Sequence, residues 1–390
     1  MEEMVATWKE LPLREICDVV QYGYTASAKD EDIGPRFLRI TDIVPQLIDW
    51  SAVPHCQIDE KKKVKYKLEE GDIVVARTGA TTGYAKWIRN PPDSVFASYL
   101  VRLKIKEGIN SRYVGLVVES DLYKKFIMTN VGGAAQPNAN AQILISYPIK
   151  LPPRDIQDRI VEIISAYDDL IENNTRRIKI LEEMAQAIYR EWFVKFRFPG
   201  HEKVKMIDSS LGPIPEGWEV KRLCDVVELK YGKGLKKSDR REGKVPVFGS
   251  SGIVGYHDAR LVEGPGVIVG RKGNVGSVFW SDTAFVPIDT VFYVVTELPL
   301  LYVYFSLQHQ PFINGDAAVP GLSRSQAYLL PYIVPPGYAL KKFELVVTPM
   351  FSALRLLNQK NANLRATCDL LLPKLISGEL DISTTGQGII

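Results

Sequence analysis

After Pro153 the apolar positions settle into a steady rhythm. Ile160, Ile164, Tyr167, Ile171, Ile178, Leu181, Ala185, Ile188 and Trp192 alternate in steps of four and three, with Asn174 at one seam position. A stripe of this kind, sustained over more than four turns, is the seam of a coiled coil. The rhythm returns near the far end of the chain at Phe343, Val347, Met350, Leu354, Leu357, Asn361, Leu364, Cys368 and Leu371. The pattern predicts a first helix from Arg154 to about Phe196, stopped by Pro199 and Gly200. About 40 residues at roughly 1.5 Å each make a rod of about 60 Å. The second helix is expected to break or kink near Thr348, with Pro349 at a first helical position, and to end at about Leu372 before Pro373. Each seam carries one asparagine, Asn174 or Asn361. It either fixes register at a cost in stability or sits solvated near a frayed edge. The economical partner for each apolar seam is the other helix, packed antiparallel. Ile163, Leu170, Ile180 and Met184 lie off the seam. They serve either a further protein or the ordinary core.

Between the helices the period changes. The segments 72–77 (DIVVAR), 96–105 (FASYLVRLKI), 266–271 (GVIVGR) and 289–295 (DTVFYVV) are rich in β-branched and aromatic residues and predict strands. Residues 143–150 predict one more. Helical patches follow at 112–128 and 301–313. Each block reads as an α+β module with a twisted, partly barrel-like sheet.

The blocks also repeat. Trp8 opens WKELPLREICDVV and Trp218 opens WEVKRLCDVV. The stretch 71–87 is echoed by 264–280, and 132–142 by 315–326. The same 183 positions separate Pro137 from Pro320 and Pro152 from Pro335, whereas 210 separate the two tryptophans, so the first block carries 27 more residues. In both halves a Pro-Pro pair precedes the helix. Prolines cannot join a central ladder and suit a first helical turn, so the pair marks the joint between module and helix. Two such halves fit internal pseudo-two-fold symmetry.

A length of 390 residues allows several domains, and a net charge of +3 means that any nucleic-acid footprint must be local. Four scattered cysteines form no CxxC pair, which points to reduced thiols in the cytoplasm. The opening MEEMVATWKE lacks the basic start and apolar centre of a signal peptide. No apolar run reaches the roughly 18 residues of a membrane span.

The helices are not basic: residues 154–198 hold eight Lys or Arg against nine Asp or Glu. The basic residues gather in the modules. KKKVKYK (61–67) contributes Lys61, Lys62 and Lys63, and KYGKGLKKSDRREGK (230–244) contributes Lys233, Lys236 and Lys237. Tight glycine turns present Arg77 and Thr78 in one module and Arg271, Lys272 and Asn274 in the other. The loops 136–142 and 320–326 add Asn138, Asn140, Ser323 and Arg324. Arg and Asn can read guanine and adenine edges, and Lys and Thr can hold phosphates. The same residue types also serve as solvated loops, turns and caps. Catalytic patterns are missing. There is no Walker loop, no HExxH, no GxSxG, and the four histidines form no spaced metal cluster. Asn90-Pro91-Pro92 is followed by Asp93 rather than the stacking aromatic of an adenine methyltransferase, and reads as a turn.

Two variable modules, each followed by a Pro-Pro-led helix, resemble the specificity subunit of type I restriction-modification enzymes. LPPRDIQDRIVEII and its continuation (151–200) look like the central conserved region of that family, and 334–380 look like its C-terminal counterpart. SSGIVGYHD and VGRKGNVGSVFW are similar to segments of its target-recognition domains. Two departures stand out. Ile156 precedes Gln157 where the family usually has an acid, and Leu340 stands where the first half has Gln157. The resemblance implies two α+β target-recognition domains, at 1–150 and 201–333, separated by two long helices at 151–200 and 334–382 that form an antiparallel coiled coil, with a tail at 383–390. It implies that each domain binds one half of an asymmetric bipartite site on double-stranded DNA. It also implies that the helices set the spacer and dock two modification subunits alongside two restriction subunits. S-adenosylmethionine, ATP and Mg would be bound by those partners and no cofactor by this chain. A scaffold that binds only protein, and a stand-alone methyltransferase or nuclease, are the competing functions.

Overall fold

The computed structural model describes residues 8–45, 47–131, 137–312, 321–380 and 382. The expected tail and parts of the repeated loops, 132–136 and 313–320, lie outside them. The chain divides into two compact units, Met1–Ile171 with Ala362–Ile390, and Glu172–Asn361. The boundary runs inside both long helices, so each unit holds one module and a portion of each helix.

In the first unit an antiparallel sheet runs in the order Cys17–Tyr22, Leu100–Ile105, Ile73–Ala76, Ala85–Trp87. The central strand IVVA is buried along its whole length because both faces are covered. Ile73 and Val75 face the main core, and Val74 and Ala76 face a second cluster around Leu38, Ile43 and Phe96. Arg36–Leu38 and Ser94–Phe96 pair in parallel, and Lys9–Pro12 pairs with Pro148–Leu151, the strand just before Pro152.

The second unit repeats this plan. Its sheet runs Glu228–Tyr231, Val291–Val295, Gly266–Gly270, Val278–Ser281. Val245–Gly249 pairs in parallel with Val286–Pro287, and Glu219–Arg222 pairs with Pro331–Val334. Much of the length difference between modules falls in one place. Residues 39–72 include the helices Ile40–Ile43 and Glu60–Tyr66, whereas 250–265 hold only the strand Gly252–His257. A second shared device closes each module. Buried Tyr113 donates its hydroxyl to the Lys150 carbonyl at 2.6 Å, and buried Tyr302 donates to the Ile333 carbonyl at 2.5 Å. Each tyrosine ties a module helix to the strand that leads into the Pro-Pro joint.

The long helices span Arg154–Tyr189 and Gly337–Ser377. Within the first unit Ile160 and Ile164 share a core with Leu375 and Ile376, with Leu371 packed against it. Within the second, Asn174 donates to the Asn361 side chain at 2.9 Å, while Trp192 lies 6.1 Å from Phe343 between ring centroids. Early positions on one helix thus meet late positions on the other, the antiparallel arrangement. Ile171, Val347, Leu354 and Leu357 are buried, and Tyr167, Ile178, Leu181 and Leu364 are half-buried. Near the end of the first helix a π-turn at Arg190–Val194 shifts burial to Tyr189 and Phe193, leaving Ile188 and Trp192 at the edge of the same core. Ile163 packs on the first core, whereas Leu170, Ile180 and Met184 are exposed.

Several expectations need correction. Where a break or kink is expected near Thr348 the second helix is unbroken, and it does not end at about Leu372 but continues through Pro373 to Ser377. Pro349 and Pro373 are exposed, as are Leu345 and Asp369, whose carbonyls lose a donor, so water can replace the missing bond. The strand expected over 143–150 is only Pro148–Leu151, because Asn140 caps a short helix at Ala141–Leu144. Residues 96–105 form two strands rather than one, split by a turn in which Leu100 N–H bonds the Ala97 carbonyl. The helical patch 112–128 is two helices, Ser111–Glu119 and Asp121–Val131, parted at Ser120 in extended conformation. Among the described residues of the patch expected over 301–313, whose last position lies outside them, the helix is Leu300–Gln308, ahead of Pro311.

Candidate nucleic-acid interface

The glycine turn and the polar loop come together in both modules. In the first, Arg77 N–H bonds the Tyr99 carbonyl and the Arg77 carbonyl accepts from Ala139 N–H, while Gly79 N–H reaches the Pro137 carbonyl. Thr78 and Asn138 form a β-bridge. In the second, Arg271 N–H bonds the Thr290 carbonyl, the Arg271 carbonyl accepts from Leu322 N–H, and Lys272 bridges to Gly321. Each arginine backbone is therefore held from both sides.

The side chains form an aromatic–cation cluster. The Arg77 guanidinium lies 5.1 Å from the Tyr22 ring centroid and donates to Asn138 Oδ1 at 3.1 Å. Arg271 lies 4.9 Å from Tyr231, with one Nη bonded to the Asp289 carbonyl. Arg324 lies 4.8 Å from the same ring. Sequence reasoning missed Tyr22 and Tyr231. The available signal was a Tyr-Gly pair at matching places, Tyr22-Gly23 and Tyr231-Gly232. Both glycines are required by close approach: a Cβ on Gly23 would lie 2.2 Å from the Ala97 carbonyl oxygen, and one on Gly232 2.1 Å from that of Ile288.

The other candidates divide. Asn140 accepts from Ile143 N–H and Ser323 from Gln326 N–H, so both side chains act as helix caps. Lys61, Lys62 and Lys63 ride on the helix Glu60–Tyr66. Lys62 pairs with Asp59 and Lys63 with Asp93, which neutralises two of the three charges. Lys233, Lys236 and Lys237 are exposed and have no carboxylate partner among the described residues. Lys272 is half-buried, and Asn274 is exposed with its carbonyl accepting from Ser277 Oγ. Asp93, which follows the Pro-Pro turn after Asn90, serves Lys63.

A half-buried ion-pair cluster fixes the first module to its long helix. Arg112 bonds Glu119 at 3.2 Å and Asp168 of the long helix at 2.8 Å, and lies over Trp87. Burial raises the Asp168 carboxyl above its ordinary range despite the nearby Arg112 charge. Among the described residues no three His, Cys, Asp or Glu side chains gather as a metal site, and no helix is long and apolar enough to cross a membrane.

Residues 6–183 and 215–317 match the family model described as the type I restriction modification DNA specificity domain. The chain is 26% identical over 352 residues to the type I restriction enzyme MjaIX specificity subunit of Methanocaldococcus jannaschii, covering 82% of this chain and 80% of that one. It is 21% identical to the HindI specificity subunit of Haemophilus influenzae, covering 96% of this chain and all of that one. The crystal structure of a type I restriction-modification S subunit from M. genitalium shares the fold, with a TM-score of 0.58 and 17% identity over 98% of this chain and 99% of that one.

Proposed function

Since the chain belongs to the type I restriction-modification DNA specificity family, we propose that it reads DNA sequence for a restriction-modification complex and leaves catalysis to its partners. Each module takes one half of a bipartite site on double-stranded DNA. The observation that carries this reading is the repeated cluster: in both modules a backbone-clamped arginine stacks on a tyrosine beside a polar loop. The modules differ at that cluster and in the length of residues 39–72 against 250–265, so the two half-sites differ and the whole site is asymmetric.

The long helices supply the spacer. At roughly 1.5 Å per residue, helices of 36 and 41 residues extend about 54 and 62 Å. Their exposed apolar side chains, including Leu170, Met184, Leu345 and Leu370, suit docking of two modification subunits, to which two restriction subunits add. S-adenosylmethionine, ATP and Mg belong to those subunits, and the complex works in the cytoplasm. Mapping methylated adenines in host DNA, with and without this chain, tests the reading. One bipartite motif that vanishes when the chain is deleted supports it, and an unchanged methylation pattern refutes it.

A further inference from the structure

The aromatic–cation clusters of the two modules are built on the same backbone frame but present different chemistry. Arg77, Arg271 and Arg324 have no carboxylate partner among the described residues, whereas Arg39, Arg102, Arg112, Arg154 and Arg241 do. A tyrosine ring takes the place of the acid. An arginine held by a ring keeps its full charge and its in-plane donors, and loses less freedom when it binds than an unsupported side chain would. Tyr22 is itself pinned, because its hydroxyl accepts from Ala141 N–H at 2.9 Å. Gly23 and Gly232 set the strand ends that carry the two rings.

The partners of the arginines then differ. In the first module the free edge joins a guanidinium to the Asn138 amide. Asn138 Oδ1, which already accepts from Arg77, keeps a second lone pair beside the remaining donors, and that pattern fits a base edge rather than a phosphate, whose oxygens only accept. In the second module two guanidiniums share Tyr231; one Nη of Arg271 is taken by the Asp289 carbonyl, and the remaining edge is a run of guanidinium donors. A donor-only fork in a groove matches the paired acceptors of guanine.

We infer that Tyr22 and Tyr231 are positioning residues for base-reading arginines, that Arg77 with Asn138 reads a step containing adenine, and that Arg271 with Arg324 reads guanine. This deepens the proposed function and rests on it. Tyr22, Tyr231 and the assignment of base types go beyond membership of the family.

The test is selection from a randomised duplex library by the complex reconstituted with its modification subunits. The variants are Tyr231→Leu, Tyr231→Phe and Arg324→Gln. Arg324 is exposed, so its variant leaves folding intact even where Tyr231→Leu does not. Arg324→Gln and Tyr231→Leu should each cut discrimination for guanine in one half-site by roughly tenfold or more, with the other half-site unchanged. Tyr231→Phe, which keeps the ring, should retain the wild-type motif. If Arg324→Gln selects the wild-type motif, the inference is overturned. It is equally overturned if that variant weakens all sequences alike with a shallower salt dependence, the mark of a phosphate contact. Failure of the wild-type complex to select any motif would instead refute the proposed function.

Discussion

Gln157→Leu should destabilise the first unit by about 3 kcal/mol. Gln157 is 3% exposed at the foot of the first long helix. Its Oε1 accepts from Asn110 N–H at 2.9 Å and its Nε2 donates to the Pro152 carbonyl at 2.8 Å. Leucine would strand both backbone groups. Each buried orphan costs about 1–3 kcal/mol, and the apolar gain of leucine offsets roughly 1–2 kcal/mol. The second half shows why leucine is tolerated there. Leu340 occupies the matching place, and the residue before the module helix is Pro299, which has no N–H to satisfy. Asn110 with Gln157 and Pro299 with Leu340 are two solutions to the same joint. For a unit of this size, 3 kcal/mol lowers the melting midpoint by about 6–12 °C. Calorimetry of the full chain should show one transition moved by that amount and the other unmoved. Hydrogen exchange at the Asn110 amide should accelerate. A Gln157→Leu chain that melts like the wild type, with the Asn110 amide still protected, would refute the reasoning.

Other outcomes follow from the same contacts. Asn174→Leu alone leaves the Asn361 amide partly unpaired in the seam and should cost about 1–3 kcal/mol, whereas the double change with Asn361→Leu should recover much of that loss in a denaturant titration. Pro349→Ala should raise stability by up to about 3 kcal/mol, because the helix is continuous there, and no gain would mean that the helix is broken at that point. At pH 8 a thiol reagent should label exposed Cys224 first and Cys17 only on unfolding, since burial pushes the Cys17 thiol up to about 12. Asp168 has a folded-state pKa raised by burial, so its own contribution favours folding at low pH and is lost as pH rises through the folded value. Asp168→Asn should therefore flatten that part of the pH–stability curve, measured by thermal melts across the acidic range.

The repeat made the architecture legible. A strand that must be buried on both faces reads as a run such as IVVA or GVIVG, and the two runs recur in register with their turns. The seam was equally plain because a coiled coil repeats one contact many times. Local conflicts were not legible. Pro349 keeps its intrinsic cost, which the buried seam on either side at Val347 and Leu354 outweighs, and its exposed position depends on which way the helix faces. Asn140 and Ser323 belong to the residue types that both cap helices and contact DNA, and only the backbone path assigns them to caps. Tyr22 and Tyr231 escaped notice because a tyrosine at a strand end is ordinary until the loop that brings the arginine over it is placed.

The central claim is that each module reads its own half-site. Arg77→Ala tests it most directly, through the methylation map of a host carrying the variant with its native modification subunits. The account predicts a motif relaxed in one half, with the spacer and the other half unchanged. Equal relaxation of both halves, or a motif identical to the wild type, would contradict it.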